Sequence, residues 1–179
     1  MKEHTATRRP PHSPRTAALA LAAGAALAAG PALAEAGAAS GTIAYETKGG
    51  AVVVMPRHAY LVSGADEVSG RPIRRVVLSV TDVGAKLLAC KAMDCADGGG
   101  IGEGLTIDFD GGPRLNYWLV ANGQRVQYSG TADPATLSLT TDTPQKLAGR
   151  WNLDARAAGA PRIEVEFDAP LARAMKSAR

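Results

Sequence analysis

The chain has 179 residues, with 20 Lys and Arg, 17 Asp and Glu, 3 His and 2 Cys. The surplus of positive charge sits at the start: Lys2, Arg8, Arg9 and Arg15 face only Glu3 within residues 1–34, so residues 35–179 hold equal numbers of basic and acidic side chains. That balance argues against a nucleic-acid footprint or a strong pull toward anionic membranes. The one histidine beyond residue 34, His58, is too little for a His-rich zinc or copper site.

Residues 1–34 read as a targeting segment rather than as fold. Basic residues lead into an uninterrupted small and apolar run at 17–29, Gly30-Pro31 breaks it, and Ala32-Leu33-Ala34 supplies a small-x-small cleavage pattern. Together these make a secretory signal peptide. The run is shorter than the roughly 20 apolar residues a membrane span needs. Two prolines follow Arg8-Arg9 where apolar residues are expected for twin-arginine export, so the general secretory route is expected. Cleavage is placed near Ala34, with Ala36 as a second option. The product is then periplasmic or secreted, with no integral membrane segment.

Residues 35–41 (EAGAASG) are small and read as a flexible leader. Strand patterns follow at 42–47, 51–55 and, after Pro56, 57–62. Residues 63–72 are polar and glycine-bearing, hence a loop. Residues 73–81 form a strong strand, with Val76, Leu78 and Val80 on one face and Arg75, Val77, Ser79 and Thr81 on the other. The segment 82–94 is the one helical candidate, since Val83, Lys86, Leu87 and Cys90 recur at helical spacing. Five glycines in 95–104 argue against regular structure there.

From Leu105 onward alternation dominates. Leu105, Ile107 and Phe109 alternate with Thr106, Asp108 and Asp110. Leu115, Tyr117 and Leu119 alternate with Asn116, Trp118 and Val120. Asn122-Gly123 predicts a type I′ hairpin. Val126 and Tyr128 point inward on the return strand, and Leu137 and Leu139 mark another. A closing hairpin spans 146–171: Leu147, Trp151, Leu153, Ile163, Val165 and Phe167 face in, while Glu164, Glu166 and Asp168 face out. The acidic row reads as edge protection. A short terminal helix is expected within 171–178. The fold class is therefore all-β: residues 42–179 form one antiparallel β-sandwich of about nine strands, or a partly closed barrel, with one short helical excursion.

Candidate chemistry is sparse. Cys90 and Cys95 in an exported chain read as a disulfide, and closing so small a loop stabilises by about 2 kcal/mol. Their spacing is not the C-x-x-C of a redox-active pair. His58 and Tyr60 point to the same face of a strand and form a possible ligand contact, although the leading account of His58 is a histidine hydrogen-bonded in or beside the core. No G-x-S-x-G occurs in the chain to serve a catalytic triad. Asp97, Glu103, Asp108 and Asp110 are the candidate carboxylates for Ca²⁺ or a glycosidase-like acid pair, set against a solvated edge-strand face for Asp108 and Asp110. Trp118 is expected in the core; exposed beside Tyr128, it could stack on a sugar ring.

Residues 57–62 (RHAYLV), 74–82 (RRVVLSVTD) and 149–171 together resemble small secreted bacterial β-sandwich proteins with no assigned activity. That resemblance implies a fold but transfers no site or substrate. The expectation is an exported binding or interaction module for an unknown protein or small-molecule ligand, with no catalytic residues, metal or cofactor. The alternatives are a carboxylate Ca²⁺-binding or carbohydrate-active protein, and a subunit that pairs through a sheet edge.

Overall fold

The computed structural model describes residues 35–66 and 68–176. The signal-peptide pattern of residues 1–34 lies outside them. Ten strands form: β1 (Gly37–Thr47), β2 (Gly50–Val54), β3 (His58–Ala65), β4 (Pro72–Ser79), β5 (Gly104–Phe109), β6 (Leu115–Ala121), β7 (Val126–Ala132), β8 (Leu137–Thr143), β9 (Lys146–Asp154) and β10 (Arg162–Ala174). They follow one hydrogen-bonded path, β7-β6-β5-β4-β3-β1-β10-β9-β8, with β2 attached to β1. The pairing is antiparallel except where the end of β10 runs parallel to β3. The path folds over at β1 and β10, which serve both halves. A larger sheet (β3 to β7) then faces a second sheet (β2, β1, β10, β9, β8), the sandwich the alternation predicts.

Between the sheets lies the main core. Leu61, Val76, Leu78, Leu105, Ile107 and Leu119 from one side meet Ile43, Leu147, Trp151, Ile163 and Val165 from the other, all nearly or fully buried. These are the inward rows of alternating strands, so period two places them there.

A second core covers the outer face of the larger sheet. Tyr60, Val62, Ile73 and Val77 pack under Val83, Leu87, Met93 and Ile101. The cover is the helical excursion: α1 (Gly84–Ala89), a 3₁₀ turn (Met93–Ala96) and α2 (Gly98–Ile101). This explains why β4 carries Val77 on the face opposite Val76 and Leu78. Cys90 and Cys95 are disulfide-bonded and tie the end of α1 to the turn. Replacing both by serine should lower stability by about 2 kcal/mol in a denaturant melt, the small-loop entropy of the crosslink.

The structure corrects several sequence expectations. The leader assigned to residues 35–41 is ordered strand from Gly37 onward, paired with β10 and β3. Its small residues are a packing requirement: a Cβ on Gly37 or Gly41 would run into the carbonyl oxygens of Asp168 or Glu164, and Gly41 also holds φ +107°. Residues 98–101 are helical despite their glycines, because the Asp97 carboxylate accepts the Gly100 N–H and caps the turn. The Asn122-Gly123 hairpin exists, but its turn spans four residues, with positive φ at Asn122, Gly123 and Gln124. Residues 171–174 continue β10 instead of starting a helix.

The acidic row Glu164, Glu166 and Asp168 does not protect an edge. β10 lies between β1 and β9, because the first strand of the domain returns to pair with the last. Each acid has a basic partner: Arg162, Arg150 and Lys146 respectively, at 2.7, 3.0 and 2.8 Å. All six side chains are well exposed, so each pair is worth at most about 1 kcal/mol.

Candidate functional site

Beyond the helical cover, the outer face of the larger sheet is open. Strand register builds two parallel rows across it. Arg75 on β4 lies opposite Asp108 on β5, which lies opposite Asn116 on β6 and then Thr131 on β7. The neighbouring row runs Val77, Thr106, Trp118, Ser129. Strands are about 4.8 Å apart, and every second residue shares a face, so these side chains form a regular grid. The excursion supplies one wall, since α2 lies against β5 and β6 and Asp97 reaches the rim. The result is a shallow groove of about 380 Å³.

Trp118 is the exception in this sheet: it is 41% exposed, whereas Trp151 is fully buried. Val120, two residues further along the same face, is also buried, so Trp118 stands at the margin of the covered region. It does not sit beside Tyr128, as the sequence suggested. Tyr128 is opposite Leu119 and faces inward, stacked on Tyr117 at 5.9 Å. The core role expected for Trp118 is thereby overturned. Its strand is apolar on both faces for most of its length, but the neighbours across the sheet, Thr106 and Ser129, are polar.

The groove floor is electrically closed. Arg75 donates to both Asp108 oxygens, at 2.5 and 2.9 Å, and to the Met93 carbonyl at 3.0 Å. Their side chains are only 13% and 19% exposed. Burial opposes the Arg75 charge, but the hydrogen bonds and charge of Asp108 outweigh it, with help from Asp97 and Asp66, and hold its pKa above the ordinary value. Asn116, Trp118 and Ser129 make no side-chain hydrogen bond to any described residue. Their donors and acceptors are open to a ligand.

The four carboxylates proposed from sequence do not form one cluster. Asp108 belongs to Arg75. Asp110 pairs with Arg74 at 2.6 Å, and Arg74 also reaches Asp142 at 2.6 Å, which links β4 and β5 to β8. Glu103 accepts the Gly123 N–H at 2.7 Å, and Asp97 caps its own turn. Among the described residues no group of three or more His, Cys, Asp or Glu is placed to hold a metal ion. Nor is Asp108 on an edge strand, since β5 lies between β4 and β6, and Asp110 lies one residue past the end of β5.

His58 and Tyr60 do share the outer face of β3, but neither lines the groove. Tyr60 is fully buried, and its hydroxyl donates to Asp82 at 2.5 Å. Asp82 in turn accepts the Gly84 N–H at the start of α1, so this pair fastens the helical cover. Desolvation, the Asp82 hydrogen bond and the Asp82 charge push the Tyr60 phenol up to about 12 from 10.0. The folded state thus keeps a proton that the unfolded chain releases. This contribution is complete below pH 10 and is lost as the pH rises toward 12. Denaturant melts across that range should show the loss, and Tyr60→Phe should flatten part of it.

Larger depressions exist, with poorer chemistry. One of about 650 Å³ covers the outer face of the second sheet, where Arg150 and Glu166 already pair and no exposed aromatic stands. One of about 630 Å³ lies at Gly64, Ile73 and Met175 and is mainly apolar. Of these three depressions, the Trp118 groove alone joins an exposed aromatic side chain to neutral polar groups without a hydrogen-bond partner among the described residues.

No protein-family model, curated protein or solved structure matches the chain.

Proposed function

We propose that this chain is an exported, non-enzymatic binding module whose ligand lies on the outer face of the larger sheet, in the groove beside Trp118. The observation that carries the reading is the 41% exposure of Trp118 beside Asn116 and Ser129, whose side chains make no hydrogen bond to a described residue. Exposing an indole gives up apolar burial that the same strand obtains for Leu119 and Val120, and a ligand that covers it restores that burial. Export to the periplasm or beyond rests on the basic, apolar and A-x-A pattern of residues 1–34, and the Cys90–Cys95 bond suits an oxidising compartment.

The test is a fragment screen against the chain labelled for amide NMR. Binding should shift amides at residues 97, 106–108, 116–118 and 129–131. Hits confined to the second sheet would reject the site.

A second reading, a subunit that adds a strand to a partner, is favoured by β2. Among the described residues it pairs only with β1, and Val53 near its end and Met55 just past it are 55% and 58% exposed.

A further inference from the structure

We infer that the Trp118 groove recognises a neutral glycan chain. The inference rests on the groove being the ligand site and adds the chemistry of what it takes.

Charge excludes several ligand classes. The two charged residues of the floor, Arg75 and Asp108, spend their hydrogen bonds on each other and on the Met93 carbonyl. Asp97 at the rim accepts the Gly100 N–H through Oδ1 and is the one carboxylate beside the floor that has no basic partner in an ion pair among the described residues. A phosphate or polyanion finds no free cation on the floor, and a cationic ligand finds no free carboxylate there. Arg114 stands at the edge, where its Nε donates to Thr131 Oγ1 at 3.0 Å, and Thr131 lines the groove. A lipid or other apolar ligand is a poor match, because apart from the indole the exposed side chains of the grid are hydroxyl and amide groups.

What remains is a ligand with a flat C–H face and many hydroxyls. A pyranose ring has both: its axial C–H bonds sit on the electron-rich face of an indole, and its equatorial hydroxyls project sideways. Around Trp118 the register places exposed Ser129 across one strand and almost fully buried Thr106 across the other, with exposed Asn116 and Thr131 one row away. These groups both donate and accept, which matches hydroxyls of either polarity. An open groove suits internal units of a chain, since both ends can run past the protein.

The experiment is calorimetric titration of the full mature chain with maltohexaose, cellohexaose, xylohexaose, chitohexaose and hexagalacturonate. At least one neutral oligosaccharide should bind. Trp118→Ala should weaken that binding by about tenfold or more, while Trp118→Phe stays within about threefold, because the ring face rather than the indole N–H carries the contact. Trp118→Phe should melt close to the wild type, whereas Trp118→Ala gives up the packing of the covered part of the indole and should lower the midpoint modestly while remaining folded. Failure of every neutral oligosaccharide to bind, equal binding by Trp118→Ala, or preference for hexagalacturonate would each overturn the inference. If fragments still map to the groove, the glycan assignment falls and the site stands. If they do not, both fall.

Discussion

Trp151→Ala is expected to destabilise the protein by about 3–5 kcal/mol, the cost of a large-to-small change in a core. Trp151 is fully buried on β9, and its indole N–H donates to Thr136 Oγ1 at 2.9 Å. Tyr117 on β6 meets it edge-on at 5.3 Å, Tyr128 on β7 stacks against Tyr117, and Tyr45 on β1 lies 5.2 Å from Tyr128. This chain of four rings bridges the two sheets at the side where β7 and β8 end the strand path. Alanine would leave a void among them and release the Thr136 hydroxyl. Trp151→Phe should cost less, since it keeps a ring against Tyr117 and loses the hydrogen bond. An unchanged denaturation midpoint for Trp151→Ala would contradict the packing of the sheets.

Asp108→Ala should cost about 3 kcal/mol, because it strands a largely buried guanidinium. Arg75 would keep only the Met93 carbonyl among its present partners. The charge itself, rather than the lost contact, sets the magnitude. Replacing both partners with apolar residues, as Arg75→Met with Asp108→Leu, should therefore recover most of the loss. Equal destabilisation by the single and double replacements in denaturant melts would mean that the pair is not acting as a closed ion pair. Since Asp108 lies on the groove floor, the single variant should also impair ligand binding, whereas Trp118→Ala should impair binding with a much smaller loss of stability.

The sandwich was legible because its strands alternate. The rows Leu105-Ile107-Phe109 and Leu115-Tyr117-Leu119, and the 146–171 hairpin, carry their facing in the spacing of apolar residues. The site was not legible, because it is a property of register. Arg75 and Asp108 lie 33 residues apart, and the segment between them folds as an excursion whose length says nothing about which residue of β5 meets which residue of β4. Read one strand at a time, Asp108 and Asp110 look solvated; paired, they answer Arg75 and Arg74. Trp118 misled for a related reason. Leu119 and Val120 follow it, one on each face, and only the cross-strand partner Ser129, polar and exposed, reveals an open surface. The Asn122-Gly123 turn held a usable signal, since counting back from it sets Trp118 opposite a polar return strand. The first part of β1, residues 37–41, was missed because Gly37 and Gly41 look like linker composition, whereas their role is close approach to β10.

The most direct test of the account is iodide quenching of tryptophan fluorescence, with and without the oligosaccharide that binds. The chain has two tryptophans, one 41% exposed and one fully buried, so the signal separates into a quenchable Trp118 component and a protected Trp151 component. The account predicts that Trp118→Phe leaves only unquenchable emission, and that saturating oligosaccharide shields the Trp118 component in the wild type. Ligand binding that leaves Trp118 as accessible as before would contradict it.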